Sequence, residues 1–317
     1  MSTKSIPLSE VLKSGLLPGK NFTSEASEYI TFLVNKGGPD RQDYSLLSAL
    51  LNLFSDTSIR EQISQNEWKQ IQNSFGEALS IQTIQGWAFH KPLGYAGDFR
   101  IIDKIYTYEE SANPQLAKWD QYFHSQKAPQ AVRNRQSYLL EQIWQTSHEH
   151  PAMSSILNLA SGPGRDMHEA LKVIGPAKVF IDCVDQDIRA IDYAKSICQD
   201  FLPQIRFIHK NVFRFTPDKS YDLIWSAGLF DYFNDQIFKR IIKRLKTFLN
   251  PGGKIVIGNF SENNPSRGYM ELFHWNLIHR SPEHLQHLAH DCGFTMNQIR
   301  VEQEPEGINL FLILSNS

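Results

Sequence analysis

Two glycines one residue apart, Gly162 and Gly164, break the apolar run Ile156-Leu157-Asn158-Leu159-Ala160, and Asp185 closes a second apolar run that begins at Val179. Small residues at a strand end let the backbone pass close to a bound molecule. Asp185 stands 23 positions after Gly162, the distance that one strand-helix-strand unit needs. A carboxylate there accepts hydrogen bonds from the two hydroxyls of a ribose. This pairing predicts a nucleoside-containing cofactor held between two strand ends, with Asp187 as the alternative ribose partner.

The residues around the glycines discriminate between cofactors. In the Gly-x-Gly-x-x-Gly fingerprint the third glycine lets helix and strand close around a pyrophosphate, but here that position is Met167. Pro163 also removes an amide donor from the loop. A dinucleotide such as NAD is therefore disfavoured. S-adenosylmethionine (SAM) carries no phosphate and needs only close backbone approach and the ribose contact, so the spacing favours it.

These residues require a strand-helix alternation to carry them. Strands are expected at about 155–160, 178–184, 205–209, 221–226, 253–258, 295–302 and 307–315, with helices between the first six. Alternation of this kind gives a parallel, doubly wound α/β sheet, and the last two strands are close enough to form an antiparallel hairpin around Pro305-Glu306-Gly307. Residues 1 to about 20 read as a polar arm, and 23 to 86 as a small helical domain in which Trp68, Ile71, Phe75 and Leu79 recur at helical spacing. A glycine-punctuated loop is expected at 87–98 and helices from about 99 to 147. The predicted domains are thus 1–86, 87–150 and 151–317.

Composition excludes several classes. The 32 basic and 34 acidic residues are interspersed and leave a net charge of −2, which gives no footprint for nucleic acid or an anionic membrane. A small-molecule substrate is expected. No sustained apolar segment predicts a membrane span, and three cysteines without metal-type spacing fit a reducing, cytoplasmic setting. His284, His287 and His290 recur at three-residue spacing, but no carboxylate partner is evident, and no metal site is predicted.

From about residue 151 the chain resembles the class I SAM-dependent methyltransferases. Ala160-Ser161-Gly162-Pro163-Gly164 stands where the family has its glycine loop, and Val184-Asp185-Gln186-Asp187-Ile188 looks like its ribose-binding strand end. Lys210-Asn211-Val212-Phe213 follows the third strand, where the family usually carries an aspartate toward the adenine amino group. An Asn211 oxygen can accept the same bond, although asparagine after a strand is also a common turn former. Tyr221 to Gly228 resembles the fourth strand and its tip, with Ser226 and Ala227 at the cofactor, and Leu249 to Lys254 resembles the turn before the fifth. The chain departs from the family at Asn158, where an acidic residue is frequent, and at Ala160, where a glycine is. The resemblance implies a seven-stranded, mostly parallel sheet, which here follows the helical N-terminal domain read from periodicity.

A narrower resemblance joins His90-Lys91-Pro92-Leu93-Gly94-Tyr95-Ala96-Gly97-Asp98-Phe99, Ala131-Val132-Arg133-Asn134-Arg135 and Arg280-Ser281-Pro282-Glu283-His284-Leu285. Together they look like the methyltransferases of 3-hydroxypalmitic acid methyl ester (extracellular factor) biosynthesis, which implies a fatty-acid carboxylate as acceptor.

Methyl transfer from a sulfonium is an in-line displacement that depends on alignment and exclusion of water. A carboxylate acceptor needs no general base, whereas a hydroxyl or amine benefits from one, with His90, Asp98, Asp231 and His274 as candidates. Two readings of the loop 94–98 stay open. It can be a lid that brings Tyr95 and Asp98 to the methyl group, or a turn in which Asp98 caps the helix starting at Phe99. The long segment 263–279 is expected to wall the acceptor pocket with Phe273, His274 and Trp275, and Asp231 to contact the acceptor as well. A SAM-dependent small-molecule methyltransferase is the first functional expectation, and a non-catalytic SAM-binding regulator the second.

Overall fold

The computed structural model describes residues 22–149, 153–175 and 179–316. The expected polar arm at 1–20 lies outside them. The α-helices, in chain order, are α1 (Phe22–Asn35), α2 (Tyr44–Leu53), α3 (Thr57–Gln62), α4 (Gln65–Ser74), α5 (Ile84–His90), α6 (Phe99–Tyr106) and α7 (Pro114–Ser125). They continue with α8 (Lys127–Glu149), α9 (Arg165–Ile174), α10 (Ile188–Ile197), α11 (Asp235–Lys246), α12 (Arg267–Leu272) and α13 (Pro282–His290). The strands are β1 (Ser154–Leu159), β2 (Val179–Asp185), β3 (Ile205–His209), β4 (Tyr221–Ser226), β5 (Leu249–Phe260), β6 (Ile299–Gln303) and β7 (Asn309–Ser315).

The chain divides into two compact units, Met1–Pro129 with Pro265–Asn276, and Gln130–Asn264 with Leu277–Ser317. The division therefore falls within α8 rather than near residue 150. Residues 265–276, expected within the 151–317 domain, pack with the helical unit instead.

In the second unit the seven strands form one sheet of order β3-β2-β1-β4-β5-β7-β6. The first five run parallel, and β7 inserts antiparallel between β5 and β6. Along β7, side chains alternate between two apolar cores. On β7, Leu310, Leu312 and Leu314 join one core with Phe238 and Ile242 of α11 and Leu285 of α13. Phe311 and Ile313 join the other with Leu139 and Ile143 of α8 and Met167 and Leu171 of α9. A period of two on a sheet covered on both faces makes these strands nearly continuous apolar runs, which is why they were legible. The tail hairpin turns at Gly307, whose φ of 68° places it in the left-handed region.

One expected helix is missing. Between β3 and β4 the chain makes turns and irregular structure, because the segment is short, carries Pro217, and has its carbonyls at Val212, Phe213 and Phe215 bound by the Arg244 guanidinium.

The helical unit is built from capped short helices. Ser64 and Glu67 form a reciprocal capping box at α4, Thr83 caps α5, and Asn113 with Pro114 opens α7. Its core is aromatic: Phe75 meets Trp119 and Phe273 edge-on at centroid distances of 5.6 and 5.0 Å. Gly268 of α12 lets that helix approach α2, since a Cβ would stand 2.2 Å from the Leu51 carbonyl oxygen. Helix α5 continues through His90, past the boundary expected at residue 86, and the loop begins at Lys91. Among the described residues no helix is long and apolar enough to cross a membrane.

Candidate functional site

Strand order reverses between β1, whose successor β2 lies on one side, and β4, which lies on the other. Ligands of open α/β sheets bind in the crevice at such a switch point, outside the carboxyl ends of the strands. The loop leaving β1 contains three left-handed residues, Ala160 (φ 52°), Gly162 (55°) and Gly164 (70°). The two glycines have different reasons for lacking a side chain. A Cβ on Gly164 would lie 2.9 Å from the Ala194 Cβ, so this glycine lets α9 approach α10. A Cβ on Gly162 would meet nothing within 4 Å, so here the open face is toward space that a ligand can fill.

Asp185 ties this loop to the end of β2. One carboxylate oxygen accepts from the Gly162 amide at 3.0 Å and the other from the Asp187 amide at 2.9 Å. Burial pushes its pKa up, opposed by these two amides. An ionised carboxylate offers about four acceptor positions, so capacity for a diol is left. Asp187 is committed differently: it caps α10 through the Arg189 amide and pairs with the Arg189 guanidinium at 2.8 Å.

Beyond β2, the Gln186 side-chain oxygen accepts from Asn211 Nδ2 at 2.7 Å, and Asn211 Oδ1 accepts from the Phe213 amide at 2.9 Å. Asn211 thus forms the turn after β3, with the partly buried Val212 beside it against the core. On the other side of the switch point, buried Ser226 donates to the Leu159 carbonyl at 3.2 Å and joins the ends of β4 and β1. The Ala227 carbonyl accepts from Arg135 Nη1 at 3.1 Å.

Arg135 of α8 closes the motif Ala131-Val132-Arg133-Asn134-Arg135, whose residues carry no individual role in the sequence. It is 4% exposed, and its Nε has no hydrogen-bond partner; the same holds for the buried Ser161 Oγ in the glycine loop. Its position explains Gly228, where a Cβ would lie 2.8 Å from Arg135 Nη1 and 3.7 Å from Asp231 Oδ2. Two buried carboxylates flank this guanidinium. Burial pushes Asp166 up to about 6 and Asp231 up to about 7, each restrained by a backbone amide and by Arg135. Spacing could not have singled out Arg135, because its carbonyl partner is 92 residues away in sequence.

The residues expected at cofactor and acceptor fall into two groups. Ala160, Ser161, Gly162, Gly164, Asp185, Gln186, Asn211, Val212, Ser226, Ala227 and Asp231 are gathered in the second unit, at or just beyond the carboxyl ends of β1 to β4. Tyr95, Asp98, Phe273, His274 and Trp275 belong to the helical unit. There Asp98 caps α6 through the amides of Arg100 and Ile101 and accepts from Trp87 Nε1 at 2.9 Å. His274, in the left-handed region at φ 63°, stacks on Phe89 at 4.8 Å and contacts Gln72 Nε2 at 3.1 Å. Burial and then Lys91 hold its pKa below the ordinary value. Phe273 and Trp275 are buried. The carboxylate partner not evident for His284 is Asp235, at 2.9 Å. Among the described residues no group of three or more His, Cys, Asp or Glu side chains could hold a metal ion.

Residues 156–253 match a family profile described as a methyltransferase domain. Over 137 residues the chain is 29% identical to malonyl-[acyl-carrier protein] O-methyltransferase 1 of Ilyobacter polytropus, a match covering 43% of this chain and 48% of the relative. The chain thus spans about half the length of the curated relative it matches. A solved structure of a possible exported protein from Bordetella parapertussis is similar over 93% of this chain and 96% of that one, with a TM-score of 0.63 at 15% identity. Magnesium protoporphyrin IX methyltransferase from Synechocystis PCC 6803, solved with S-adenosylhomocysteine, is similar over 60% of this chain and 87% of its own, with a TM-score of 0.47 at 12% identity. Within the second unit, residues 156–253 match a methyltransferase-domain profile, and its sheet has the strand order of the class I methyltransferase fold. The cofactor of such a domain is SAM. The open face at Gly162 and the unpartnered Ser161 Oγ and Arg135 Nε fit a ligand carrying a ribose and an amino-acid end.

Proposed function

We propose that this chain is a SAM-dependent methyltransferase that forms methyl esters on an acyl carboxylate, either free or carried on a thiol carrier. The observation that carries the reading is the switch-point crevice, where an open glycine loop tied to Asp185 lies on one side and a buried guanidinium with an unused donor on the other. In this reading Asp185 holds the ribose, with Gln186, Asn211 and Val212 toward the adenine. Arg135 and Ser161 take the methionine carboxylate, and Ser226 and Ala227 border the sulfonium. Asp231 serves the acceptor end. The ester chemistry is supported by the likeness to a relative whose name gives malonyl-acyl-carrier protein as its substrate, and by the motifs at 90–99, 131–135 and 280–285.

A carboxylate is already a nucleophile at neutral pH, so the protein's contribution is alignment and exclusion of water. SAM supplies the methyl group on a sulfonium leaving group. The roles expected of Tyr95, Asp98, Phe273, His274 and Trp275 in methyl transfer and acceptor binding belong to the same reading. The test is incubation of the pure protein with methyl-labelled SAM and a panel of free fatty acids, malonyl- and acyl-carrier proteins, hydroxyl acceptors and amines. Base-labile label appearing only with the carboxylates is expected. Transfer to amines alone would replace the ester reading, and tight SAM binding without transfer to any acceptor would favour a regulator.

A further inference from the structure

The motif beginning at Arg280 is given no part in the cofactor site proposed above, yet its arginine is, like Asp182, a charged side chain fully buried in the domain. Arg280 is 0% exposed, and all five of its N–H donors are used. Nε and Nη2 donate to Asp235 Oδ1 at 3.2 and 3.0 Å. Nη1 donates to the Phe230 carbonyl at 3.3 Å and to Asn259 Oδ1 at 2.7 Å, and Nη2 to the Phe233 carbonyl at 2.5 Å. The Phe238 ring lies 4.8 Å below the guanidinium. Two of these partners, Phe230 and Phe233, bracket the short turn after β4, and Asp231 sits within it.

Asp231 is itself held from the same side. Its Oδ1 accepts from the Phe260 amide and its carbonyl from the Ile278 amide, both at 2.7 Å. Asn259 completes the arrangement by donating to the carbonyls of Phe260 and Ile278 at 2.9 and 3.0 Å. The turn is therefore fixed at residues 230, 231 and 233 by the end of β5 and the segment leading to Arg280, while Asp231 Oδ2 stays beside Gly228 and Arg135. A buried ion pair is weak evidence for stability, since apolar residues of equal volume do as well or better, whereas a rigid fork is suited to fixing geometry.

We infer that Arg280 is a positioning residue: it fastens the 230–233 turn to the end of β5 and so sets the orientation of the Asp231 carboxylate at the acceptor end of the site. This rests on the proposed role of Asp231. The rest of the motif serves the same clip, with Ser281 capping α13 through the His284 amide at 3.1 Å and His284 holding the second oxygen of Asp235. The charged groups facing Asp231 are Arg135 from α8 and Arg280 itself; Asp235 faces Arg280, and His284 faces Asp235.

The experiment compares Arg280→Lys, Arg280→Met and the milder Asp235→Ala with the full-length wild type in three measurements. These are thermal melting, SAM affinity by calorimetry, and the pH titration of the Asp231 carboxyl by infrared difference spectroscopy, with Asp231→Asn identifying the band. Methyl transfer to the best acceptor is measured alongside. For Arg280→Lys we expect SAM affinity within threefold of wild type and turnover reduced at least tenfold. For Arg280→Met we expect, in addition, an Asp231 titration displaced to higher pH, because a cation that favours the carboxylate is gone. Asp235→Ala, which replaces a half-exposed side chain, should lower turnover two- to fivefold at unchanged SAM affinity and report on the clip if both Arg280 variants fail to fold. A lowered melting point with wild-type turnover and an unmoved Asp231 band would reduce Arg280 to a structural residue and overturn the inference. The infrared titration needs no acceptor, so it decides on the clip even if wild type transfers no methyl group, an outcome that would count against the proposed function alone.

Discussion

The two flanks of the switch point are made of different materials. On the β1-β2 flank the work is done by backbone: left-handed residues at 160, 162 and 164, and a carboxylate that binds two main-chain amides. On the β4-β5 flank it is done by side chains that carry charge out of water: Arg135, Asp231 and Arg280, each 4% exposed or less. A backbone cradle tolerates many neighbours and recognises what every SAM molecule shares. A cluster of buried charges is costly unless each member is paired and hydrogen-bonded, so it belongs where the chain must specify one ligand geometry.

The sharpest way to break this comparison is Arg135→Met. It leaves Asp166 and Asp231 without their shared cation and removes the donor proposed for the cofactor's carboxylate. Loss of a buried, hydrogen-bonded charge partner should weaken SAM binding by about 2 to 4 kcal/mol, read by calorimetry. Affinity within twofold of wild type in a folded variant would move the carboxylate site elsewhere.

Next in size is a pH effect confined to the charged flank. Asp231 is raised by burial to about 7, whereas an unfolded aspartate titrates near 4. Its stabilising contribution is therefore fully present below pH ~4 and is lost as pH rises through about 7. Asn at this position can still accept from the Phe260 amide, so Asp231→Asn should gain on wild type by about 1 to 4 kcal/mol between pH 5 and 8 in thermal or denaturant unfolding. Parallel stability curves across that range would show that Asp231 is not a buried acid.

Asp185→Asn tests the backbone flank. It keeps one acceptor but loses the charge that faces the ribose hydroxyls, and SAM affinity should fall by about 1 to 3 kcal/mol. Asp187→Asn serves as the contrast, since its carboxylate is engaged by Arg189 and the α10 cap; affinity should then change little. The reverse ranking would transfer the ribose contact to Asp187.

The contrast also explains what could be read in the sequence. Gly162, Gly164 and Asp185 lie within one strand-helix-strand unit, and the alternation of β7 between two cores imprints a period of two, so the glycine loop and the sheet were legible. Arg135 binds a carbonyl 92 residues away, and Arg280 reaches carbonyls 50 and 47 residues back; no local pattern encodes such contacts. The expected helix after β3 failed for a related reason. Its residues are held by Arg244, a partner on α11 that periodicity does not reveal. Residues 265–276 were expected within the 151–317 domain by their place in the chain, but their apolar side chains pack among helices, as Phe273 does against Phe75.

Asp98 offers a smaller test in the helical unit. Its carboxylate accepts from two amides at the start of α6 and from the Trp87 indole. Asp98→Ala should cost about 1 to 2 kcal/mol in thermal unfolding, as loss of a helix cap does. Turnover per folded molecule then separates its two readings: a fall of tenfold or more keeps Asp98 as a candidate for methyl transfer, and an unchanged value leaves it as a cap.

The smallest expected effect concerns Ala160, where the chain departs from a glycine frequent in the resembled family. Its φ of 52° lies in the left-handed region, which disfavours any residue with a Cβ by about 1 kcal/mol. Ala160→Gly relieves that strain, but it also gives the unfolded chain more freedom, which offsets about 0.5 to 1 kcal/mol. The net change in unfolding free energy should therefore be small, about 0 to 0.5 kcal/mol in favour of glycine, with SAM affinity within twofold of wild type. A clear loss of stability would mean that the alanine methyl group makes contacts worth more than the strain, and the backbone flank would then depend on side chains as the opposite flank does.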